Sequence, residues 1–593
     1  MEKQPRLLSS QLLLKNAVFE VSLNRVFMTW KEQPTTKKKR VSAGLHHPFK
    51  VGFCLSKFRH RRKGEPEPKA SPPSLLPLQF GITALGTCHT VAVSEIVAVR
   101  ELDVENGATK DDGRWQKMPQ KPLEAYPYAF TVSFVERTRR HRWRCRDVTF
   151  FCPEGALCQL WVQTIREQLA LLTNRPKHLL VYINPYGGKQ QAKRIYEQEV
   201  APLFARASIS THIIVTEYAN HARNHLGTEA ELKKYDGVVC VGGDGMFSEL
   251  VHGLISRTQK DSNVDQNCPE ESLTPCSLRI GIIPAGSTDC ICYATVGAND
   301  PVTSALHIIV GDSQPMDVCS VHHNNTFLRY SVSLLGYGFY GDVLTDSERK
   351  RWMGPARYDI SGFKTFLTHH NYEGTVSFLP ATDILGTPRD QARCRAGCFI
   401  CQHNGQLCSD ETLEKCKMGQ EVSDSECNGE WQTIRGKFLA INAASMSCAC
   451  PRSPNGLSPA AHLSDGTTDL ILVRKCSRFD FLRHLLRHTS KDDQFDLGFV
   501  EVHRVRRFRF TPRHCQSDSE LDLREPGKRL FSQICRDHPS CSCRPSYSSW
   551  NCDGEILPHA AIDVGVHCQL IKLFARGIEE TPVFEDSTLP NAI

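Results

Sequence analysis

The chain has 593 residues, and 72 lysines and arginines against 65 aspartates and glutamates leave a formal charge of +7. Apolar residues make up 40% and charged residues 23%, an ordinary globular mixture that excludes a wholly disordered or fibrous chain. No apolar run approaches the roughly 18 residues of a membrane-spanning helix, which argues against a helical integral membrane protein. Two to four domains are expected at this length. The opening stretch MEKQPRLLSSQLLLKNAVFE is broken by Lys15, Asn16 and Glu20 and lacks a small-residue cleavage site, so it does not read as a signal peptide. The 26 cysteines then read as reduced thiols rather than a disulfide framework, some of them candidate metal ligands.

Residues 1–172 carry short alternating strands at Val18–Leu23, Thr90–Val99 and Phe130–Val135. A helix follows at Glu154–Leu172, with Leu157, Leu160, Trp161, Ile165, Leu169 and Leu172 at three- and four-residue spacing. Strands closed by one tryptophan-bearing amphipathic helix resemble a pleckstrin-homology domain, which implies a membrane-targeting role. Within this region, Lys37-Lys38-Lys39-Arg40 and Arg59-His60-Arg61-Arg62-Lys63 lead into EPEPKASPPS, a basic, proline-containing insert. Such a block is either a solvated linker or a site of attraction to anionic lipid. Arg137, Arg139, Arg140, Arg142 and Arg144, around His141 and Trp143, form a second basic cluster that suits a phosphoinositide headgroup.

Residues 176–318 change pattern. Apolar strands at Leu179–Ile183, Ile213–Thr216, Val238–Val241 and Ile280–Ile283 alternate with helix-length segments, the signature of an α/β domain around a mainly parallel sheet. From 319 to 580 short strands dominate: Leu328–Leu335, Thr375–Leu379, Lys437–Ile441, Leu470–Val473 and Val505–Phe510. They predict an antiparallel β-rich domain interrupted by a cysteine-rich, flexible insert at 380–432.

The chemistry concentrates in three loops. The strand Val238–Val241 ends in Gly242-Gly243-Asp244-Gly245, and a helix, Met246–Ile255, follows at once. Glycines let backbone approach a phosphate, and a helix N-terminus offers free N–H groups and positive dipole. Alone, such a turn is as easily a tight structural connection. Upstream, however, Leu179–Ile183 runs into Asn184-Pro185-Tyr186-Gly187-Gly188-Lys189. Downstream, Ile280–Ile283 runs into Pro284-Ala285-Gly286-Ser287-Thr288-Asp289. All three loops fall at the carboxyl edge of one sheet, where open α/β folds bind ligands. Gln190 stands where a P-loop needs Ser or Thr, and there is neither a protein-kinase His-Arg-Asp/Asp-Phe-Gly set nor a Gly-x-Gly-x-x-Gly fingerprint.

In this order the loops resemble the diacylglycerol-kinase-type lipid kinases. SLLGYGFYGD at 333–342, RKRWMGPARYDISG at 349–362 and SSWNCDGE at 548–555 narrow the resemblance to the ceramide kinases. That family implies a pleckstrin-homology-like domain, an α/β nucleotide domain and a β-rich lipid domain, with ATP and Mg²⁺ used to phosphorylate the primary hydroxyl of ceramide. Diacylglycerol or sphingosine phosphorylation, or a catalytically silent membrane adaptor, are the alternatives. By resemblance Asp244 is the general base. Asn184, Pro185 and Tyr186, then Thr216, Glu217, Tyr218, Ala219 and Asn220, and also Glu249, Ser287 and Thr288, face the nucleotide. Arg351 and Arg357 reach the triphosphate, and Asp553, Gly554 and Glu555 form the last nucleotide-contacting segment, with carboxylates suited to Mg²⁺. Gly242, Gly243, Asp244 and Gly245 meet the acceptor lipid. Leu344 stands where sphingosine kinases carry an aspartate for the substrate ammonium, and a leucine suits the neutral amide of ceramide.

The basic stretch RFDFLRHLLRH around Phe479–Leu486 is either a core helix or a calmodulin target, with Ca²⁺ as regulator; Phe481, Leu482, Leu485 and Leu486 share its apolar face. Peripheral association with Golgi and plasma membranes is implied, and no nucleic-acid partner is expected. Cys394, Cys398 and Cys401, and separately Cys535, Cys541, Cys543 and Cys552, invite a zinc reading, but they lack the two paired knuckles of familiar zinc sites and read rather as free or redox-sensitive thiols, with zinc the alternative.

Overall fold

The computed structural model describes residues 6–33, 88–102, 125–354, 356–418, 430–490, 492–513 and 547–580. The basic insert at 37–63 with its proline-rich sequel, and Cys535, Cys541 and Cys543, lie outside the described residues. The chain divides into two compact units: 1–132 with 147–171, and 133–146 with 172–593.

The smaller unit is built on a seven-stranded sheet in the order β4-β3-β2-β1-β7-β6-β5. These strands are β1 Leu8–Leu14, β2 Ala17–Leu23, β3 Phe27–Glu32, β4 Cys88–Ala92, β5 Ile96–Leu102, β6 Tyr128–Arg137 and β7 Trp143–Cys152. The single strand expected over Thr90–Val99 is two, parted by a 3-10 turn at Val93–Glu95. The helix α1, Gly155–Ala170, packs Trp161 on Phe130 with ring centroids 5.9 Å apart. That contact sets the helix rotation. At 100° per residue it turns Cys158, Val162 and Ile165 inward and leaves Leu160, expected inside, 49% exposed.

The larger unit holds β8 His178–Ile183, β9 Ser210–Val215, β10 Gly237–Gly242 and β11 Arg279–Pro284, parallel and ordered β9-β8-β10-β11. Between and after them run α2 Ala192–Ile195, α3 Ala201–Arg206, α4 His221–Thr228, α5 Asp244–Asp261, α6 Cys290–Val296 and α7 Pro301–Val310. The near-continuous apolar runs of β8 and β10 are what a parallel sheet covered on both faces requires. The chain leaves β8 toward one edge and β10 toward the other, so the crevice between their carboxyl ends is a topological switch point.

The remaining strands are β12 Ser313–His323, β13 Thr326–Ser331, β14 Leu334–Gly338, β15 Tyr372–Pro380, β16 Gln432–Ala444, β17 Thr468–Arg474, β18 Val500–Pro512, β19 Asn551–Cys552, β20 Glu555–Ile556 and β21 Ile562–Phe574. With them come α8 Phe339–Glu348, α9 Ala356–Thr368, α10 Phe399–Met418 and α11 Arg478–Arg487. The cysteine-rich insert thus contains a helix, α10, where only flexible chain is expected. The last strand, β21, joins the two halves: it runs parallel to β11 and antiparallel to β12 and β18. The antiparallel half packs around fully buried Trp550, whose ring lies 5.1 Å from Tyr337 and 5.7 Å from Phe510. No helix among the described residues is long and apolar enough to cross a membrane.

Arg504, 6% exposed, donates from Nε and Nη2 to Asp469 at 2.8 and 3.1 Å and from Nη2 to the Ala460 carbonyl at 2.6 Å. Asp465, also fully buried, lies 3.9 Å away. Removing one partner of a buried pair leaves an uncompensated charge. Arg504→Ala is therefore expected to cost about 3–5 kcal/mol, read as a lowered denaturation midpoint.

Candidate active site

The three glycine loops converge because they have no side chains there to keep them apart. A Cβ built on Gly286 would lie 2.5 Å from the Gly243 Cα and 2.5 Å from Asp289 Oδ1. One on Gly188, whose φ of +56° already favours glycine, would lie 2.6 Å from the Ala285 carbonyl oxygen. Gly242 faces Asn184 at 3.6 Å by the same measure. The parallel ladder runs on into these loops: the amides of Asn184, Thr216 and Ala285 donate to the carbonyls of Val241, Ile183 and Gly242 at 3.1, 2.9 and 3.0 Å. The Asn184, Gly243 and Gly286 turns thus form one surface at the switch point.

Asp244 opens α5 on that surface. Its carboxylate accepts from the amides of Cys290 and Ile291, in the first turn of α6, at 3.0 and 3.1 Å. Burial raises its affinity for a proton above the ordinary aspartate value, those two amides oppose the shift, and Asp553 adds to it. Asp289, which sequence reasoning passed over, is buried beside it. Burial first and the Asp244 charge second push its carboxyl up to about 7, against one hydrogen bond from the Gly286 amide. Its signal was available: an acidic residue closing the third loop.

The other expected residues fall at several places. Asn184 Oδ1 accepts from the amides of Tyr186 and Gly187 at 2.9 and 3.1 Å, so this side chain folds its own loop, and Pro185 and Tyr186 follow at the edge, Tyr186 exposed. Thr216 is buried, its hydroxyl donating to the Ile183 carbonyl. Glu217 and Ala219 flank exposed Tyr218, which stacks on His221 at 4.6 Å, and Asn220 turns the chain in a left-handed conformation. Burial raises the hold of Glu249, one turn into α5, on a proton, and the nearby amides of Asn220 and Ala222 oppose that shift. Its Oε2 is buried with no hydrogen-bond partner. Ser287 and Thr288 are exposed.

Four of the expected site residues have partners within the chain. Asp553 is not a carboxylate open to a metal: it accepts from the amides of Val332, Ser333 and Leu334 at 2.7, 3.0 and 2.8 Å and from the hydroxyls of Ser331 and Ser333. Those bonds fold the turn that splits the single strand expected over Leu328–Leu335 into β13 and β14. Past Gly554, Glu555 is held by both terminal nitrogens of Arg329 on β13, a cation not anticipated from sequence, which also reaches the Ser248 hydroxyl at 3.3 Å. Arg351 and Arg357 both pair with Glu348 of α8, and Arg357 covers the Tyr358 ring at 4.7 Å; these bonds hold the corner between α8 and α9.

In the basic cluster, Arg144 pairs with Asp300 at 2.6 Å, Arg137 with Glu579 at 2.7 Å, and Trp143 stacks on His307 at 3.7 Å, leaving Arg139, Arg140 and Arg142 exposed. On α11, Phe481 and His484 are buried while Phe479, Leu482 and Leu486 are exposed, so the apolar face divides between core and solvent. Leu344 is buried on α8, two residues past Asp342, whose carboxylate accepts from the hydroxyls of Tyr372 and Ser548, each at 2.6 Å.

A parallel four-strand nucleotide half and an antiparallel half, joined through β21 beside an acid among glycine turns, define a lipid kinase of the diacylglycerol-kinase type. Residues 178–321 match the model of the diacylglycerol kinase catalytic domain, 333–589 that of the ceramide kinase C-terminal domain, and 65–165 that of the ceramide kinase PH domain. The ceramide kinase of Homo sapiens is 64% identical over 493 residues, 83% of this chain and 90% of that protein. That of Mus musculus is 60% identical over the same shares. A solved diacylglycerol kinase of Bacillus anthracis aligns over 68% of this chain and 97% of its own at 12% identity, with a TM-score of 0.39. The chain belongs to the ceramide kinase family. It is therefore an enzyme of a family that uses ATP, and its PH domain suggests association with a lipid surface.

Gly286→Ala has no room at the loop contact and must push the Gly286 turn away from Gly243 and so from Asp244. A displacement of about 1 Å at reacting groups costs on the order of 100-fold. That loss in kcat/KM for phosphoryl transfer is expected, with the unfolding midpoint of the whole chain little changed.

Proposed function

We propose that the protein transfers the γ-phosphoryl group of ATP to the primary hydroxyl of ceramide, giving ceramide 1-phosphate and ADP. The observation that carries this reading is Asp244, seated on two helix-end amides where three glycine turns meet. The nucleotide phosphates lie along the Asn184–Lys189 and Gly286–Thr288 turns, where backbone amides and the exposed hydroxyls of Ser287 and Thr288 can donate to them. The acceptor hydroxyl stands beside Asp244. As its oxygen bonds to the γ-phosphorus, the bond to the bridging β-phosphate oxygen breaks and Asp244 takes the hydroxyl proton.

Asp289, whose carboxyl is pushed up by burial and by the Asp244 charge, is the carboxylate in this reading that would hold Mg²⁺, a hard cation that would relieve that repulsion. When bound, the ion neutralises phosphate charge. The fully occupied Asp553 keeps the β13–β14 turn in place instead, and Arg329 keeps Glu555.

Ceramide enters from the β-rich half, its amide near Leu344. Arg139, Arg140 and Arg142 are cations offered to a phosphoinositide headgroup, which fits work at the cytosolic face of Golgi and plasma membranes. The exposed Phe479, Leu482 and Leu486 of α11 are the stripe that Ca²⁺-loaded calmodulin would meet, although wrapping the helix would first have to withdraw Phe481 and His484 from the core.

Asp244→Asn is expected to lower kcat by about 10²–10⁴-fold with ATP binding retained, measured with labelled ATP across ceramide, diacylglycerol and sphingosine. Undiminished transfer to ceramide in that variant, or wild-type preference for another lipid, would overturn the reading. The base works only when ionised, and its pKa is raised. The wild-type rate therefore falls on acidification through a pKa above the ordinary aspartate value and is level on its alkaline side.

Leu344→Asp is expected to shift the ceramide-to-sphingosine ratio of kcat/KM roughly tenfold toward sphingosine, because a carboxylate welcomes an ammonium and repels a neutral amide. Leu344→Asn, polar without the charge, should weaken both lipids alike.

A further inference from the structure

Away from the phosphoryl-transfer site, four side chains from two separate segments aim at one point. Cys394, Cys398 and Cys401 come from the loop that follows β15 and from the start of α10; His462 comes from the loop between β16 and β17. Their ligand atoms all lie within 4.8 Å of one another. Cys394 Sγ is 3.6 Å from Cys401 Sγ, and Cys398 Sγ is 3.3 Å from His462 Nδ1. Cys401 and His462 are buried, and the Nε2 of His462 has no hydrogen-bond partner.

These spacings distinguish the available chemistries. A disulfide holds its sulfurs at about 2.05 Å, well inside the separation found here. Four ligands around a tetrahedral zinc, with metal–sulfur bonds of about 2.3 Å and metal–nitrogen bonds of about 2.1 Å, stand roughly 3.5–3.8 Å apart along each edge. The donors are three thiols and one imidazole, a set that selects zinc over the hard oxygen-seeking cations. In sequence the signal is half a familiar motif. Cys398-Phe399-Ile400-Cys401 is one Cys-x₂-Cys knuckle, and the other two ligands come from four residues upstream and sixty-one downstream, a separation that only folding closes.

We infer that Cys394, Cys398, Cys401 and His462 bind one Zn²⁺ in a closed four-ligand structural site. No position is left for water or substrate, so the ion is a clamp and takes no part in phosphoryl transfer. It ties the insert that begins after β15 to the 445–467 loop. Leu463 of that loop is in the core cluster that also holds Met246 and Phe247 of α5, and Cys394 and Cys448 pack against the same cluster. Losing the ion is thereby expected to loosen the loop where it approaches the helix that Asp244 begins.

The test is metal content of the purified full-length chain after dialysis against a weak chelator. One zinc per chain is expected in wild type and in Cys268→Ser, an exposed cysteine elsewhere, and less than a tenth of that in Cys401→Ser and His462→Ala. Since those two variants can fail to fold, the wild type is also exchanged into Co²⁺, where three thiolates and one imidazole give tetrahedral ligand-field bands and thiolate charge transfer. Wild type free of zinc after expression with added zinc would overturn the inference. So would zinc kept at full occupancy by both variants, a cobalt spectrum without thiolate character, or a Cys394–Cys401 disulfide in peptides mapped without reductant.

Discussion

The closest contact at this active site is between two backbones. Gly243 and Gly286 meet across the carboxyl ends of β10 and β11: a methyl group on Gly286 would lie 2.5 Å from the Gly243 Cα and force the loops apart, and one on Gly243 would lie a tight 3.1 Å from the Gly286 Cα. That approach brings the N-terminus of α6 to the Asp244 carboxylate, and it puts Asp289 close enough for the Asp244 charge to raise its carboxyl. A single Cβ would separate the acid from the amides that hold it. The geometry around Asp244 is therefore set by an absence of side chains, and burial raises the hold of its carboxyl on a proton.

The rest of the larger unit serves to keep that surface still. β21 enters from the far end of the chain, extends the parallel sheet at β11 and at the same time pairs antiparallel with β12 and β18, so that one strand belongs to both halves. Asp553 then gathers three amides and two hydroxyls at the β13–β14 turn, and Arg329 and Glu555 close over the side chains of α5. Asp553, expected from its motif to face the nucleotide, also folds this turn, and its charge raises the hold of Asp244 on a proton.

Much of this was legible in the residues. The parallel strands, the three loops and the helix after Gly-Gly-Asp-Gly follow from apolar runs and glycine placement, because strand burial and close backbone approach leave strong local marks. Where the reading went astray, a distant partner decided. Phe130 turned α1 so that Leu160 faced solvent, and the Asp553 carboxylate cut one predicted strand in two. Neither of these partners is near in sequence to the residue it governs.

The sequence by itself determined which residues could do chemistry and at which edge of which sheet they would stand, since hydrophobic period and glycine position are local properties of the chain. Only the tertiary structure decided what each polar side chain would spend its bonds on. Whether a carboxylate is free, capped by amides or paired with arginine can depend on groups tens to hundreds of residues away, as for Asp244 and Asp553, and the meeting of one imidazole with three thiols is of the same kind. Pairing energies of this sort come into being only when the chain closes on itself, so no reading of neighbours along it can assign them.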